Sequence, residues 1–174
     1  MTEAGATEAL PIAIIGTAGR RDDAARLDAA VYRAMVAVAR WTVGQHRGAR
    51  PVRLVSGGAA WADHVAVSLF LEGEGDALTL HLPAAFTGYR YAEGGGRFDP
   101  GRTSNHYHQA FSDAIGRDSW AEIALAIERG AEAAVTPGFK RRNLKVADAV
   151  DGGLLLAFTF GSASKPASFS RGSL

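Results

Sequence analysis

Short apolar runs that stop at glycine or proline constrain the fold of this chain more than any other feature. Ile12–Ile15 ends at Gly16, Val52–Val55 is soon followed by two glycines, and Leu78–Leu82 stops at Pro83. Such runs suit strands buried on both faces. Between them, helical spacing fills about 22–43 and 60–72. The alternation predicts an α/β fold, a Rossmann-like three-layer αβα arrangement with a mostly parallel sheet.

The rest of the chain predicts one excursion and then a return to helices and a strand. Residues 84–103 are rich in Gly, Tyr and Arg and have no steady period, so we expect a loop insertion, either a lid over a ligand or a disordered loop. Helical patterns follow over Ser104–Ile115, Ser119–Arg129 and about Asn143–Val150, and we expect Ser104 to be the N-cap of the first of these helices. The apolar run Leu154–Phe160 predicts the last strand. We expect a flexible leader (1–10), one domain (11–161) and a small-residue tail (162–174).

Composition excludes several classes of function. The 174 residues contain no cysteine, which excludes disulfides, a thiol nucleophile and a cysteine-ligated metal, and suits a cytoplasmic protein. A net charge of +1 makes DNA an unlikely partner, and no apolar run is long enough for a bilayer, so we expect no membrane partner. His106 and His108 diverge on a helix, so we predict no metal site, and no cofactor is indicated.

Two glycine-bearing turns follow the first two predicted strands and are the candidate binding site. Ligands of open parallel sheets lie outside the carboxyl ends of the strands, where glycines allow close approach and helix N-termini attract anions. We expect phosphate to contact backbone amides and arginines, with an indole stacking on a base. The first turn contributes Gly16, Thr17, Gly19, Arg20 and Arg21; the second contributes Ser56, Gly57, Gly58, Ala59, Trp61 and Asp63.

A structural role for these glycines stays open at this point. Any α/β protein needs glycine at some strand-to-helix turns, and neither turn matches the dinucleotide-binding or P-loop pattern. The basic run Lys140–Arg142 with Lys145 is either a solvated helix face or, together with Arg20 and Arg21, an electropositive floor for phosphate. His81 could line the site or lie in the core.

Taken in order, these motifs resemble the SLOG superfamily, which joins DprA, the Lonely Guy phosphoribohydrolases and YspA/YpsA-like proteins. The two glycine turns, the segment Arg142–Asp148 and the tail Ser170–Ser173 carry the resemblance. It implies a Rossmann-like domain that binds a nucleotide or a nucleotide-derived ligand and pairs as a homodimer or higher homo-oligomer. It adds Arg142, Asn143, Ser170, Arg171 and Gly172 to the expected ligand-binding residues.

The sequence departs from the hydrolase branch of that superfamily in two respects. No acidic residue occurs from Gly152 to Leu174, where that branch has its catalytic glutamate. We therefore expect a sensor or sequestering protein rather than an enzyme. The alternatives are a nucleotide N-glycosidase that uses Arg142 with a carboxylate from elsewhere, Glu122 or Glu93, and a structural or interaction module with an empty pocket. Relatives also continue into a further helix and strand, so the fold is expected to be shortened at its C-terminus, or the sequence to be a piece of a longer chain.

Overall fold

A five-stranded, all-parallel sheet forms the centre of the protein in a computed structural model that describes residues 8–160. The strands are β1 (Leu10–Gly16), β2 (Val52–Ser56), β3 (Ala77–Leu82), β4 (Glu132–Val135) and β5 (Leu154–Phe158), in the spatial order β4-β3-β2-β1-β5. The helices are α1 (Ala29–Gly44), α2 (His64–Leu71), α3 (Pro100–Ile115), α4 (Ser119–Glu128) and α5 (Phe139–Asp148), with a short 3-10 helix at Arg21–Arg26. The predicted α/β class with a parallel sheet is confirmed.

Alternate residues of the central strands bury into two different layers. On one face, Ile12 and Ile14 of β1 join the large core that also includes Met35 of α1 and Val65 of α2. On the other face, Ala13 and Val55 pack against Val146 of α5. Successive strand residues point to opposite sides, so this division gives the three layers and explains why the strand runs are continuously apolar.

Several predicted boundaries are wrong, each for a local reason. The first helix does not run from 22 to 43, because Asp28 accepts a hydrogen bond from the Val31 amide at 2.8 Å and caps a new helix after the 3-10 turn. The third helix begins at Pro100, where Asp99 is the N-cap, so Ser104 lies inside the helix. The second helix begins at His64, and the last strand ends at Phe158.

The strand β4 was not predicted from the sequence. All four of its residues are exposed, and among residues 8–160 it pairs only with β3, at the edge of the sheet. An edge strand that buries neither face leaves no hydrophobic pattern to read. Predictions for residues 1–7 and 161–174 lie outside the described residues.

The end of β1 depends on a glycine. Gly16 has φ +147°, and a Cβ there would lie 2.0 Å from the Phe158 carbonyl oxygen of β5. The amide of Thr17 donates to that same carbonyl at 2.9 Å. Glycine therefore allows β1 and β5 to stay close while the chain turns out of the sheet, and this turn opens onto the cleft described below.

Candidate functional site

A cleft of about 540 Å³ lies at the carboxyl ends of β1 and β2, between the sheet and α5. Both glycine turns reach it, through Ala18 from the first and Ala59 from the second. The amide of Ala62 also donates to the Thr17 carbonyl at 3.2 Å, which joins the two turns directly. The structure thus brings together the two segments that the sequence analysis selected.

One end of the cleft is polar and the other is apolar. The polar end contains Thr17, Arg20, Asp23, Asp63, Arg142 and Asn143. The apolar end follows β1, β5 and the inner face of α5, with Ile15, Val146, Ala147, Val150 and Leu155. A concave site with a few converging polar groups beside an apolar wall is the usual form of a small-molecule site.

Arg142 and Asp63 are the two buried charges of the cleft lining. The Arg142 side chain is only 7% exposed, and its Nη1 donates to Asp63 Oδ2 at 2.6 Å. The guanidinium lies against the backbone of Gly57, where a Cβ would come within 1.3 Å of Nη1, so Gly57 makes room for it. Its Nε is buried and has no hydrogen-bond partner among residues 8–160, and a buried donor in that state is costly unless something accepts from it.

The first turn is held by its own side chains. Thr17 Oγ1 donates to Asp23 Oδ2 at 2.5 Å and accepts from the Gly19 amide at 3.2 Å. Gly19 has φ +77° and faces the Trp61 indole, which a Cβ would approach to 2.8 Å. The turn is therefore a preformed structure, with Asp23 presented to the cleft.

The two neighbouring arginines of this turn differ in position. Arg20 lines the cleft, and its guanidinium lies 4.7 Å from the ring centre of Phe139 and 5.6 Å from that of Tyr107. Arg21 is exposed, has φ +53° and does not line the cleft. Of the two arginines expected at the site, the structure places Arg20 in the cleft lining and Arg21 outside it.

The expected electropositive floor is not what the structure shows. Two arginines, Arg20 and Arg142, share the lining with two carboxylates, Asp23 and Asp63, so the formal charges of the lining balance. The other basic residues of α5, Lys140, Arg141 and Lys145, are exposed and lie outside the lining. Those three side chains thus lie on the solvent-exposed face of α5.

Hydrogen bonds within the second turn stabilise it beside the cleft. Ser56 Oγ donates to the Asp63 carbonyl at 2.7 Å and accepts from the Gly58 amide at 3.2 Å. The Ala59 amide lies 3.5 Å from Asp63 Oδ2. Ala59 and Asp63 line the cleft. The lining does not include Ser56, Gly57 and Gly58.

Trp61 does not present a stacking surface to a ligand. It is 4% exposed, has φ +63°, and lies in the core against Phe111 and Tyr32, with ring centres 4.8 and 6.3 Å apart. The aromatic side chain that lines the cleft is Phe139, at the start of α5. Sequence reasoning missed Phe139 because the start of α5 follows β4, which has no sequence signal.

Glu122, the candidate replacement carboxylate, belongs to a different cluster. It is on α4, where it accepts from Arg117 Nε at 2.8 Å and contacts His64 Nε2 at 2.7 Å. Burial raises its pKa, but the hydrogen bonds and charges of His64 and Arg117 outweigh this and lower it. Glu122 does not line the cleft, and Glu93 pairs with Arg102 at 3.5 Å outside it. The carboxylates in the cleft are Asp23 and Asp63.

The remaining predicted residues divide between the cleft and regions away from it. Asn143 lines the cleft beside Arg142. His81 is half-buried on β3 and is not in the lining; burial and then the nearby cations Lys145 and Arg142 lower its pKa. Ser170, Arg171 and Gly172 lie outside the described residues. Within residues 8–160 no group of three or more His, Asp or Glu side chains could hold a metal ion.

The fold and cleft define an α/β protein with an open parallel sheet and a small-molecule-sized site at its carboxyl edge. The chain is 39% identical over 108 residues to an uncharacterized protein of Acanthamoeba polyphaga mimivirus; the match covers 62% of this chain and 56% of the viral protein. No family model matches the chain, and no solved structure matches it. Among the residues described, every helix is too short or too polar to cross a bilayer.

Proposed function

We propose that this protein binds a nucleotide or a nucleotide-derived ligand in the cleft at the carboxyl ends of β1 and β2, as a sensor or sequestering protein. The observation that carries the proposal is the buried Arg142, whose Nε lacks a partner in the described chain at the point where the two glycine turns meet. A buried guanidinium in the wall of the cleft favours an anionic ligand there.

Other features of the cleft support a ligand of this class. A volume of about 540 Å³ lies within the usual range for small-molecule sites. Arg20 offers a second, exposed guanidinium, and Phe139 and Asn143 offer an aromatic face and an amide that suit a base. The proposal thus assigns phosphate to Arg20 and Arg142 and the base to Phe139.

Arg20 and its neighbour Arg21 provide a matched test. We expect Arg20→Asn to weaken binding of the responding nucleotide by roughly 10–100-fold, the value of a hydrogen bond to a charged group, because Arg20 lines the cleft. Arg21→Asn removes the same charge one residue away and keeps a residue that tolerates its positive φ, so we expect little change. Calorimetry after a thermal-shift screen of nucleoside mono-, di- and cyclic phosphates measures both variants.

Two outcomes of that screen contradict the proposal. One is that no nucleotide in the panel raises the melting temperature of the unsubstituted protein. The other is that Arg20→Asn and Arg21→Asn weaken binding equally, since a general loss of positive charge would then account for the effect.

The carboxylates of the cleft favour a second candidate function, nucleotide N-glycosidase activity. Asp23 is half-buried, lies beside the cleft and receives the Thr17 hydroxyl; a carboxylate there could stabilise an oxocarbenium-like centre. We expect chromatography to detect nucleobase released from a nucleoside monophosphate, and Asp23→Asn to abolish the release, whereas Asp22→Asn, an exposed neighbour outside the lining, preserves it. Absence of release from every monophosphate tested removes this candidate.

Membership of the SLOG superfamily, self-association and a cytoplasmic location stay predictions. Val38 and Trp41 of α1 are 49% and 68% exposed, one helical turn apart, and this apolar surface is where we would look first for contact between copies. The molar mass measured by light scattering tests self-association.

A further inference from the structure

Two buried side chains outside the cleft form hydrogen bonds with the Gly58 carbonyl. Tyr91 Oη donates to it at 2.5 Å, and His108 Nε2 lies 3.1 Å from it. Tyr91 is 2% exposed and His108 is fully buried. Gly58 has φ +66°, and a Cβ there would lie 2.5 Å from Leu82 and 2.9 Å from the Tyr91 hydroxyl, so the turn is fitted closely to this pair.

Tyr91 is itself fixed by α3. The side chain of Asn105 accepts from the Tyr91 amide at 3.0 Å and donates to the Tyr91 carbonyl at 2.9 Å. This pairing satisfies both backbone groups of Tyr91, much as a neighbouring strand would. Tyr91 lies in the segment between β3 and α3. This inserted segment therefore places the Tyr91 hydroxyl behind the turn that borders the cleft.

The donor role of His108 follows from its other contacts. A carbonyl oxygen only accepts, so Nε2 carries the proton, and Nδ1 accepts from Ser119 Oγ at 2.8 Å. Ser119 Oγ lies 2.8 Å from Ser112 Oγ, which can donate to it in turn. A chain of hydrogen bonds therefore runs from α3 and α4 to the Gly58 carbonyl. Burial lowers the pKa of His108 to about 3, so the ring stays neutral and keeps this arrangement near neutral pH.

The peptide between Gly58 and Ala59 links these donors to the cleft. A trans peptide is planar, and its C=O and N–H point in opposite directions. Fixing the Gly58 carbonyl toward Tyr91 and His108 therefore turns the Ala59 N–H toward the cleft, where it lies 3.5 Å from Asp63 Oδ2. If the peptide turned over, a carbonyl oxygen would face the cleft and repel an anion.

We infer that Tyr91 and His108 are positioning residues of the cleft: together they orient the Gly58–Ala59 peptide so that its N–H is presented to an anionic ligand beside Arg142. The part that concerns a ligand rests on the proposed function. The orientation of the peptide does not depend on it, which allows the two to be tested separately.

Nuclear magnetic resonance of the full chain labelled with ¹⁵N tests the orientation. Tyr91→Phe removes only the hydroxyl, and Ser119→Ala removes the donor that fixes the ring of His108. In both variants we expect the Ala59 amide resonance to shift and its hydrogen exchange to become faster. Tyr89→Phe is the matched control, since Tyr89 is in the same segment and 70% exposed; we expect the Ala59 amide to be unchanged. Ser119→Ala keeps the test decisive should Tyr91→Phe fail to fold.

Binding of adenosine monophosphate, used as the probe, tests the ligand part. We expect Tyr91→Phe to weaken its affinity about fivefold, as for the loss of one neutral hydrogen bond, and Tyr89→Phe to leave it unchanged. A wild-type protein that fails to bind the probe counts against the proposed function for this nucleotide, while the Ala59 resonance still decides the positioning role. The inference is overturned if the Ala59 amide resonance and its hydrogen exchange in Tyr91→Phe and Ser119→Ala are the same as in the Tyr89→Phe control.

Discussion

Replacing Arg142 with alanine is expected to lower the free energy of unfolding by about 3–5 kcal/mol, the usual cost of removing one partner of a buried ion pair. The physical reason lies with its partner: Asp63 is 4% exposed and would lose the guanidinium 2.6 Å away. Within residues 8–160 its carboxylate would then keep only the weak contact to the Ala59 amide at 3.5 Å. Urea unfolding near neutral pH measures the change.

Two further variants separate this effect from a general effect of charge. Arg141→Ala removes an exposed cation from the same helix, and we expect a change within about 0.5 kcal/mol. Asp63→Asn added to Arg142→Ala removes the stranded charge, so the double variant should be more stable than Arg142→Ala alone. Equal losses in Arg142→Ala and Arg141→Ala would show that the pair does not support the fold.

The ion pair also governs how the proposed ligand would be bound. Asp63 Oδ2 already accepts from Arg142 Nη1 at 2.6 Å, whereas the Ala59 amide is 3.5 Å from it. A ligand anion would contact the exposed guanidinium of Arg20 and the Ala59 amide beside Arg142. The balanced charge of the lining means that such contacts, rather than a broad positive potential, would supply its specificity.

The fold was predictable wherever burial leaves a pattern in the sequence. The apolar runs at Ile12–Ile15 and Val52–Val55 lie within the central strands β1 and β2, which have helices on both faces. The exposed edge strand β4 has no such pattern. The break between the 3-10 turn and α1 depends on one capping side chain, Asp28, which a reading of hydrophobic periodicity passes over.

The site was predictable only as far as backbone turns determine it. Parallel strands end at the same edge, so the turns after β1 and β2 had to meet. Which side chain faces the cleft was not predictable, because it depends on packing. Trp61, beside a glycine turn, rotates into the core, whereas Phe139, which follows an unpredicted strand, lines the cleft. Likewise, the sequence could not show that Arg142 is paired with Asp63, 79 residues earlier.

Acid is expected to destabilise this protein well before its carboxylates titrate. His64 and His108 are fully buried, and burial is the largest cause of the lowered pKa of each. In the unfolded chain both pKa values return to about 6.5. The unfolded state therefore binds more protons below that pH, so the stability present above about pH 6.5 is lost as the pH falls toward the lower folded values, about 3 for His108.

Each histidine that stays neutral in the folded state contributes a slope of about 1.4 kcal/mol per pH unit below about pH 6. Urea unfolding between about pH 7 and about pH 5, above the range in which most carboxylates titrate, should show the slope that His108 contributes. His108→Gln keeps an N–H that can reach the Gly58 carbonyl but does not titrate, so its slope should be smaller by that amount. His106→Gln changes an exposed histidine two residues away on α3 and should leave the slope as it is. If the slope of His108→Gln matches that of His106→Gln, then His108 is already protonated in the folded state over this pH range. That result would contradict its role as a neutral donor to the Gly58 carbonyl.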